Sequence, residues 1–358
     1  MRITVTLSII LILLAGCKDE AYLPETTKWS DEQGKKDYSF DFVQFDLSPV
    51  IEIHRIKIHD SLLIIAGRIK ENDCLIHFYN RNNLKLIKSI ASSGRGPEEY
   101  SRLPLEILIN NNSNEISITD ISFRITRIYN IDSLINGSRV KAIRELRYTD
   151  QFGPILKEYS NGSMICDPPF RVKLESPKEP PDLLSLIDLK TQTKIKSVKY
   201  PPKDNFGLDF AHSGNFNYAF MNDISVSPDG EKILIAYRFM DLIEIYDKNL
   251  SLVHRMHGPD HFTPQFEQTG DGLNIKPLDN NRYAFDLPIA GNDEFWVHYS
   301  GHYEKERRPL NRIFVFKWDG KLKSVYRADE IPAILDIDFI QKEAYGVSRQ
   351  GSLIIMKF

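Results

Sequence analysis

From Asp37 to Phe358 the sequence predicts an all-β fold, a six-bladed propeller of four-stranded antiparallel blades, and three observations carry that prediction. Short runs of β-branched and aromatic residues alternate with turn residues, and no amphipathic helical stretch competes with them. Pairs of such runs recur around Asp-Gly or Asn-rich turns, four strands to a unit of about 50 residues, the length of a propeller blade. The last unit is one strand short, and a strand-like stretch at the start of the domain supplies the missing one. Joining both ends of the chain in one blade closes the ring and removes an exposed sheet edge.

The chain opens on an apolar run from Ile3 to Ala15 behind Arg2, too short to span a bilayer as a helix and read as a secretory signal over residues 1–16. Leu14-Ala15-Gly16-Cys17 resembles a bacterial lipobox, which implies cleavage before Cys17 and acylation of that residue, palmitate included. Lys18-Asp19-Glu20 resembles the signal that carries Bacteroidota lipoproteins to the cell surface. These resemblances imply a surface-exposed lipoprotein of the outer membrane whose acyl chains are its membrane contact. Residues 17–36 are polar apart from the anchor and are expected to form a flexible tether with a reach of roughly 25 Å. The propeller is assigned to residues 37–358.

Within it, Tyr38 to Phe45 alternates aromatic and polar residues and is expected to complete the last blade. The third and fourth strands of a unit are clearest at Cys74–Tyr79 with Leu84–Ile90, and at Ser185–Leu189 with Lys194–Val198. The same pair returns at Leu242–Tyr246 with Ser251–Arg255, and at Ile313–Trp318 with Leu322–Tyr326. First and second strands flank Asn110 to Asn114 and Ser227-Pro228-Asp229-Gly230. Such turns tolerate positive φ and so punctuate hairpins. Leu335–Phe339, Ala344–Val347 and Ser352–Met356 are the three strands left for the last unit.

Gly94-Arg95-Gly96-Pro97-Glu98-Glu99-Tyr100, Pro104, Ile116 to Asp120 and Arg127-Ile128-Tyr129 together resemble one NHL-type repeat, with Glu99 where a third glycine is usual. The Ser-Pro-Asp-Gly turn at 227–230 resembles TolB-type propellers. The chain thus looks like the six-bladed TolB-like propeller lipoproteins of Bacteroidota, a resemblance that speaks for fold and implies no particular activity.

Strand parity says which face should work. Loops between second and third strands emerge on the same face as the links between blades, and the long segments 167–182, 201–220, 258–281 and 300–311 all map there. Long loops on one end of a rigid scaffold are where binding usually sits. In or beside them stand Arg171, His212, His257, His261, His302, Tyr303, Arg307 and Arg308, aromatic and basic residues of the types enriched at recognition surfaces. These eight are the candidate binding residues.

Other chemistries find little support. A formal net charge of −3, with no basic block, argues against nucleic acid. His257 and His261, and His298 and His302, are four apart, but Pro259 and Gly301 disfavour the helices that would align them, so no metal is expected. No nucleotide, lipase or EF-hand motif is present, and no cofactor is expected. Cys74 and Cys166 sit in apolar runs and read as packed thiols, although an envelope location would permit a disulfide. The expected function is a lipid-anchored module that binds an envelope protein or a glycan through its looped face. The alternative is a lyase or hydrolase acting on a polysaccharide or peptide at the central channel.

Overall fold

A computed structural model describes residues 26–29, 37–38, 42–45, 47 and 50–358, apart from 70–72, 97, 102, 104–105, 111–112, 138–139, 149–152, 160–161, 168–180, 203–207, 209–212, 271–273, 307–309 and 329–330. Cys17, the 1–16 signal, Arg171, His212, Arg307 and Arg308 lie outside the described residues.

Three short strands come first, β1 (Thr26–Lys28), β2 (Asp37–Tyr38) and β3 (Phe42–Phe45). Blade 1 is β4 (Val50–His59), β5 (Leu62–Ile69), β6 (Cys74–Asn80) and β7 (Leu86–Ser92). Blade 2 is β8 (Glu106–Asn110), β9 (Glu115–Asp120), β10 (Ile125–Asn130) and β11 (Arg144–Arg147), with helix α1 (Ile131–Asn136) in its last turn. Blade 3 is β12 (Ile155–Glu158), β13 (Ser163–Cys166), β14 (Asp182–Asp188) and β15 (Lys194–Lys199), and helix α2 (Ser213–Ala219) leads out of it. Blade 4 is β16 (Asn222–Val226), β17 (Lys232–Tyr237), β18 (Leu242–Asp247) and β19 (Leu252–His257). A hairpin of β20 (Phe266–Gln268) and β21 (Ile275–Pro277) follows. Blade 5 is β22 (Phe285–Ala290), β23 (Glu294–Tyr299), β24 (Arg312–Lys317) and β25 (Leu322–Arg327). Blade 6 is β26 (Ala333–Asp338), β27 (Glu343–Val347), β28 (Leu353–Lys357) and, from the other end of the chain, β3 paired antiparallel with β28.

The middle strands explain why the chain reads so apolar. β17, β18, β23 and β24 are buried on both faces because each blade is sandwiched between two others. Such strands appear as continuous apolar runs rather than as alternation. The core is accordingly divided among the six junctions between blades. Ile64, Ile76, Ile107 and Ile116 fill the one between blades 1 and 2, and Ile354, Ile334, Trp296 and Ile313 the one between blades 5 and 6. The first strands pack beside one another around the axis: β12 beside β16, β16 beside β22, β22 beside β26, β26 beside β4, and β4 beside β8.

The outer hairpins of blades 1, 3 and 4 share a local device. Asn80 Oδ1 accepts from the backbone of Asn82 and Asn83, Asp188 Oδ1 from Thr191, and Asp247 Oδ1 from Asn249 and Ser251. These turns carry positive φ at Leu84, Gln192 and Leu250, and blade 5 puts Gly320 at the equivalent place. All four hairpins have a register shift between their last two strands. A left-handed conformation costs a side-chain-bearing residue about 1–2 kcal/mol relative to glycine, partly offset by the greater freedom of glycine in the unfolded chain. Gln192→Gly, at an exposed position, is therefore expected to raise stability by about 0.5–1 kcal/mol, read as a higher urea midpoint.

Two expectations need correction. The tether does not extend to residue 36. Thr26–Lys28 add to blade 4 as a fifth strand, parallel to β19, and Asp37–Tyr38 add to blade 5 parallel to β25. Trp29 is buried between those two blades, with its ring edge-on to Phe314 and Phe316 at 4.7 and 4.9 Å. Cys166 is fully buried as expected, but Cys74 is only partly so; they lie in different blades and form no disulfide.

Candidate functional site

The residues that carry the NHL-like pattern hold blade 2 in shape. The Glu99 carboxylate accepts from the Gly96 amide at 2.6 Å and occupies the space a Cβ at Gly94 would take, so a side chain at Gly94 would displace the carboxylate from this bond. Arg127 stacks over Tyr100, donates to the Glu99 carbonyl, and Tyr100 bonds Tyr129 hydroxyl to hydroxyl at 2.8 Å. Asp120 ties down Ser101 through its amide and hydroxyl. Each of these groups has a partner within this segment of the fold.

The channel is different. Arg55 on β4 makes a two-pronged contact with Glu106 on β8, at 3.3 and 2.6 Å. Arg238, just after β17, bridges Asp223 on β16 and Asp286 on β22 at 3.1 and 2.9 Å. The two clusters feel one another, since Asp223 and Asp286 also stabilise the Arg55 cation. Asp167 completes the group from the end of β13, close enough to Glu106 and Asp223 for their charges to disfavour its own ionisation. Six charged groups from five blades thus meet at the axis, four acids against two arginines.

Two of the acids, Asp167 and Asp223, are poised near neutrality. Enclosure by the channel wall, then the Glu106 and Asp223 charges, push the Asp167 carboxyl up to about 7. Enclosure and the Asp286 charge do the same to Asp223, against the opposing pull of Arg238, again to about 7. A carboxyl whose pKa is raised on folding holds its proton more tightly in the native state, so stability falls as pH rises through the folded value and is flat above it. Between pH 6 and pH 8 the Asp167 contribution is about 1 kcal/mol. Asp223 adds less because its side chain is 36% exposed and screened by solvent. Asp167→Asn is expected to flatten this part of the melting temperature's pH profile, and an unchanged profile would refute the assignment.

Beside the cluster lies a cavity of about 470 Å³ lined chiefly by Ile53, Leu287, Leu310, Pro332, Leu335 and Val347, with His54, Ser348 and Arg349 among its walls. Its lining comes from the openings of β4 and β26, the link between blades 5 and 6, and the β27–β28 turn. All of these belong to the face from which the long loops rise. Ile53 and His54 adjoin Arg55, and Leu287 adjoins Asp286, so charged channel and apolar cavity share the same strand segments.

The sequence-derived candidates fall elsewhere on that face. His257 closes β19 and is buried. His261 stands at positive φ with its amide, like that of Asp260, donating to Asp241 Oδ2. Asp260 in turn accepts from the Tyr299 hydroxyl at 2.8 Å. His302 lies beside Asn311 and Glu306, at 3.0 and 3.7 Å, and the Arg282 guanidinium stacks on Tyr303 at 4.7 Å. These four build a packed shoulder between blades 4 and 5. His298 has a distinct role: its Nε2 accepts from the Ile334 amide and its Nδ1 donates to the Leu287 carbonyl, pinning blade 5 to blade 6, and burial lowers its pKa. Among the described residues no three His, Cys, Asp or Glu side chains gather as a metal would need. The channel charges escaped sequence reasoning, although one signal was there: Glu106, Asp223 and Asp286 each stand at or next to the opening of a first strand.

Two solved structures share this architecture. A Bacteroides fragilis protein named as exported superposes with a TM-score of 0.58 at 13% identity, covering 93% of this chain and 98% of its own. A Bacteroides vulgatus member of the DUF4221 family gives 0.56 at 9% identity, covering 88% and 95%. At these identities the likeness shows the fold alone. No curated protein matches the sequence. The profile of the TolB-like 6-blade propeller-like family matches residues 51–339. That span takes in blades 1 to 5 and the opening of blade 6, and the chain belongs to the TolB-like six-bladed propeller family.

Proposed function

We propose that this protein is a binding module of the cell envelope, exported, held at the outer membrane by acyl chains on Cys17, and engaging a protein or glycan partner at the channel mouth of its looped face. The carrying observation is the meeting of Arg55, Glu106, Asp167, Asp223, Arg238 and Asp286 beside the 470 Å³ cavity. Charged groups that converge around a partly solvated channel, next to apolar walls, offer a partner directional hydrogen bonds together with area to bury. The lipobox-like Leu14–Cys17 and the fold shared with a protein named as exported support the location.

A second reading draws on Asp167 and Asp223. Carboxyls with pKa values near 7 can exchange protons at physiological pH, which a lyase or hydrolase acting on a polysaccharide or peptide would use. One comparison separates the two. The tagged wild-type protein and an Arg55→Ala/Glu106→Ala variant are crosslinked in intact cells, and co-purifying proteins and glycans are identified by mass spectrometry. A partner captured by wild type and lost from a variant with an unchanged melting curve supports the binding module. Turnover of an envelope glycan or peptide that Asp167→Asn abolishes supports the enzyme instead. Equal capture by both proteins removes the channel mouth from the proposal.

A further inference from the structure

The N-terminal strand constrains how the ring can sit on a membrane. β1 enters blade 4 with Thr26 opposite Arg255 of β19. If Cys17 carries the acyl chains, only residues 18–25 separate the anchor from that strand. Eight residues have a root-mean-square reach of about 16 Å and span at most ~28 Å when fully extended. A domain of this length has a radius of gyration of about 20 Å and so measures some ~50 Å across. Such a tether cannot pass around the ring. The rim that carries blade 4, flanked by blades 3 and 5, therefore stays within about 28 Å of the lipid.

What that side presents is suited to the contact. In blade 3 the seven residues from Lys190 to Lys196 are all exposed, and Lys199 is exposed further along β15. Ile195, at the centre of this strip, is 57% exposed. Lys196 Nζ donates to the Asn249 carbonyl in the β18–β19 turn at 2.8 Å, so the strip abuts the blade that holds β1. Asp182 pairs with Lys194 and Lys199, and Asp188 is engaged by Thr191 in its own turn, so the four lysines of the strip exceed these two aspartates by two charges. β1 and β2 cover the outer edges of blades 4 and 5, whereas β15 carries no further strand among the described residues.

We infer that the outer edge of blade 3, Lys190 to Lys199, is a membrane-facing surface that binds the anionic headgroups of the leaflet holding the acyl chains. The inference rests on the lipidation of Cys17 proposed above. Each lysine near an anionic surface strengthens binding about fivefold, and the exposed isoleucine enters the interface. The short tether keeps the strip at the surface, so individually weak contacts act together.

Two measurements test this. Mature chain carrying Cys17→Ser, and so lacking lipid, is sedimented with phosphatidylethanolamine vesicles made with or without phosphatidylglycerol. Binding that requires phosphatidylglycerol, and that falls more than tenfold in Lys190→Glu/Lys196→Glu, is the expected result. Separately, Cys74→Ser/Cys166→Ala lipoprotein in the same anionic vesicles carries a fluorophore at Ile195→Cys or at Ile87→Cys, the latter on β7 across the ring. Brominated lipid should quench the first and spare the second. No selective sedimentation and equal quenching at both sites would overturn the inference. So would an Ile195→Cys that is shielded from labelling in intact envelopes but not quenched by lipid, because a protein would then occupy the strip. Loss of the lipidation reading shows independently, as an intact mass without acyl chains.

Discussion

Trp29→Ala lowers the stability of the propeller by about 3–5 kcal/mol, the range for deleting a fully packed tryptophan. The side chain is 4% exposed and sits in the junction between blades 4 and 5, among Leu234, Ile243, Phe314 and Phe316. Its backbone is equally committed. The Trp29 amide donates to the His257 carbonyl at 3.0 Å, and the Trp29 carbonyl lies 2.3 Å from where a Cβ would stand at Gly258, an approach that only glycine permits. The loss has an upper bound, because the chain can release the strap instead of tolerating a cavity beneath it. That bound is the docking free energy of β1 and Trp29 together, and a chain beginning after residue 36, which keeps β2, measures it directly. The expected pattern is a melting temperature several degrees lower for Trp29→Ala, approaching that of the truncated chain. Limited proteolysis should then cut the variant between residues 26 and 40 while leaving the blades intact. Equal melting of wild type, Trp29→Ala and the truncated chain would return residues 17–36 to the status of a plain tether.

The difference between what was legible and what was not follows the range of the interactions. Asn80, Asp188 and Asp247 announce their turns because an Asx side chain satisfies amides two to four residues on, which is local chemistry. The six junctions were legible through doubly buried strands such as Lys232–Tyr237, whose composition records burial on both faces. Ring closure could be inferred because the last unit lacked a strand; the strand that fills it, Phe42–Phe45, lies inside the expected Tyr38–Phe45. β1 gave no such signal. Thr26-Thr27-Lys28 has no periodicity, and its conformation depends on an edge offered by β19, more than 200 residues away. Helices α1 and α2, of six and seven residues, are too short to display a helical period. The channel cluster was hidden for the same reason as β1, since residues between 55 and 286 become neighbours only once the ring has closed. The histidine spacings misdirect attention: His298 holds two blades together and His257 is core.

The ion pair beneath the strap has the second large effect. Glu244 is 2% exposed, and its carboxylate accepts from Arg255 Nε at 2.7 Å and from the Tyr237 and Tyr246 hydroxyls at 2.9 and 3.1 Å. Arg255→Met keeps the aliphatic stem but strands a buried carboxylate with two neutral donors. Removing one member of a buried pair costs about 3–5 kcal/mol, mostly as the penalty on the charge left behind. In Glu244→Gln/Arg255→Met that charge is gone while an amide oxygen still accepts from the tyrosines. The double variant should therefore unfold within about 1 kcal/mol of Glu244→Gln alone, a non-additivity measurable by urea denaturation. Arg255 is also the residue that pairs with Thr26 of β1 in the sheet, so the strap and the ion pair share strand β19. Releasing the strap admits water to the guanidinium and weakens what the pair contributes, because a solvated pair is worth far less than a buried one. The Arg255→Met penalty should accordingly shrink in the chain that begins after residue 36. If the penalty is the same with and without the strap, the two are energetically independent and β1 is only an edge cover.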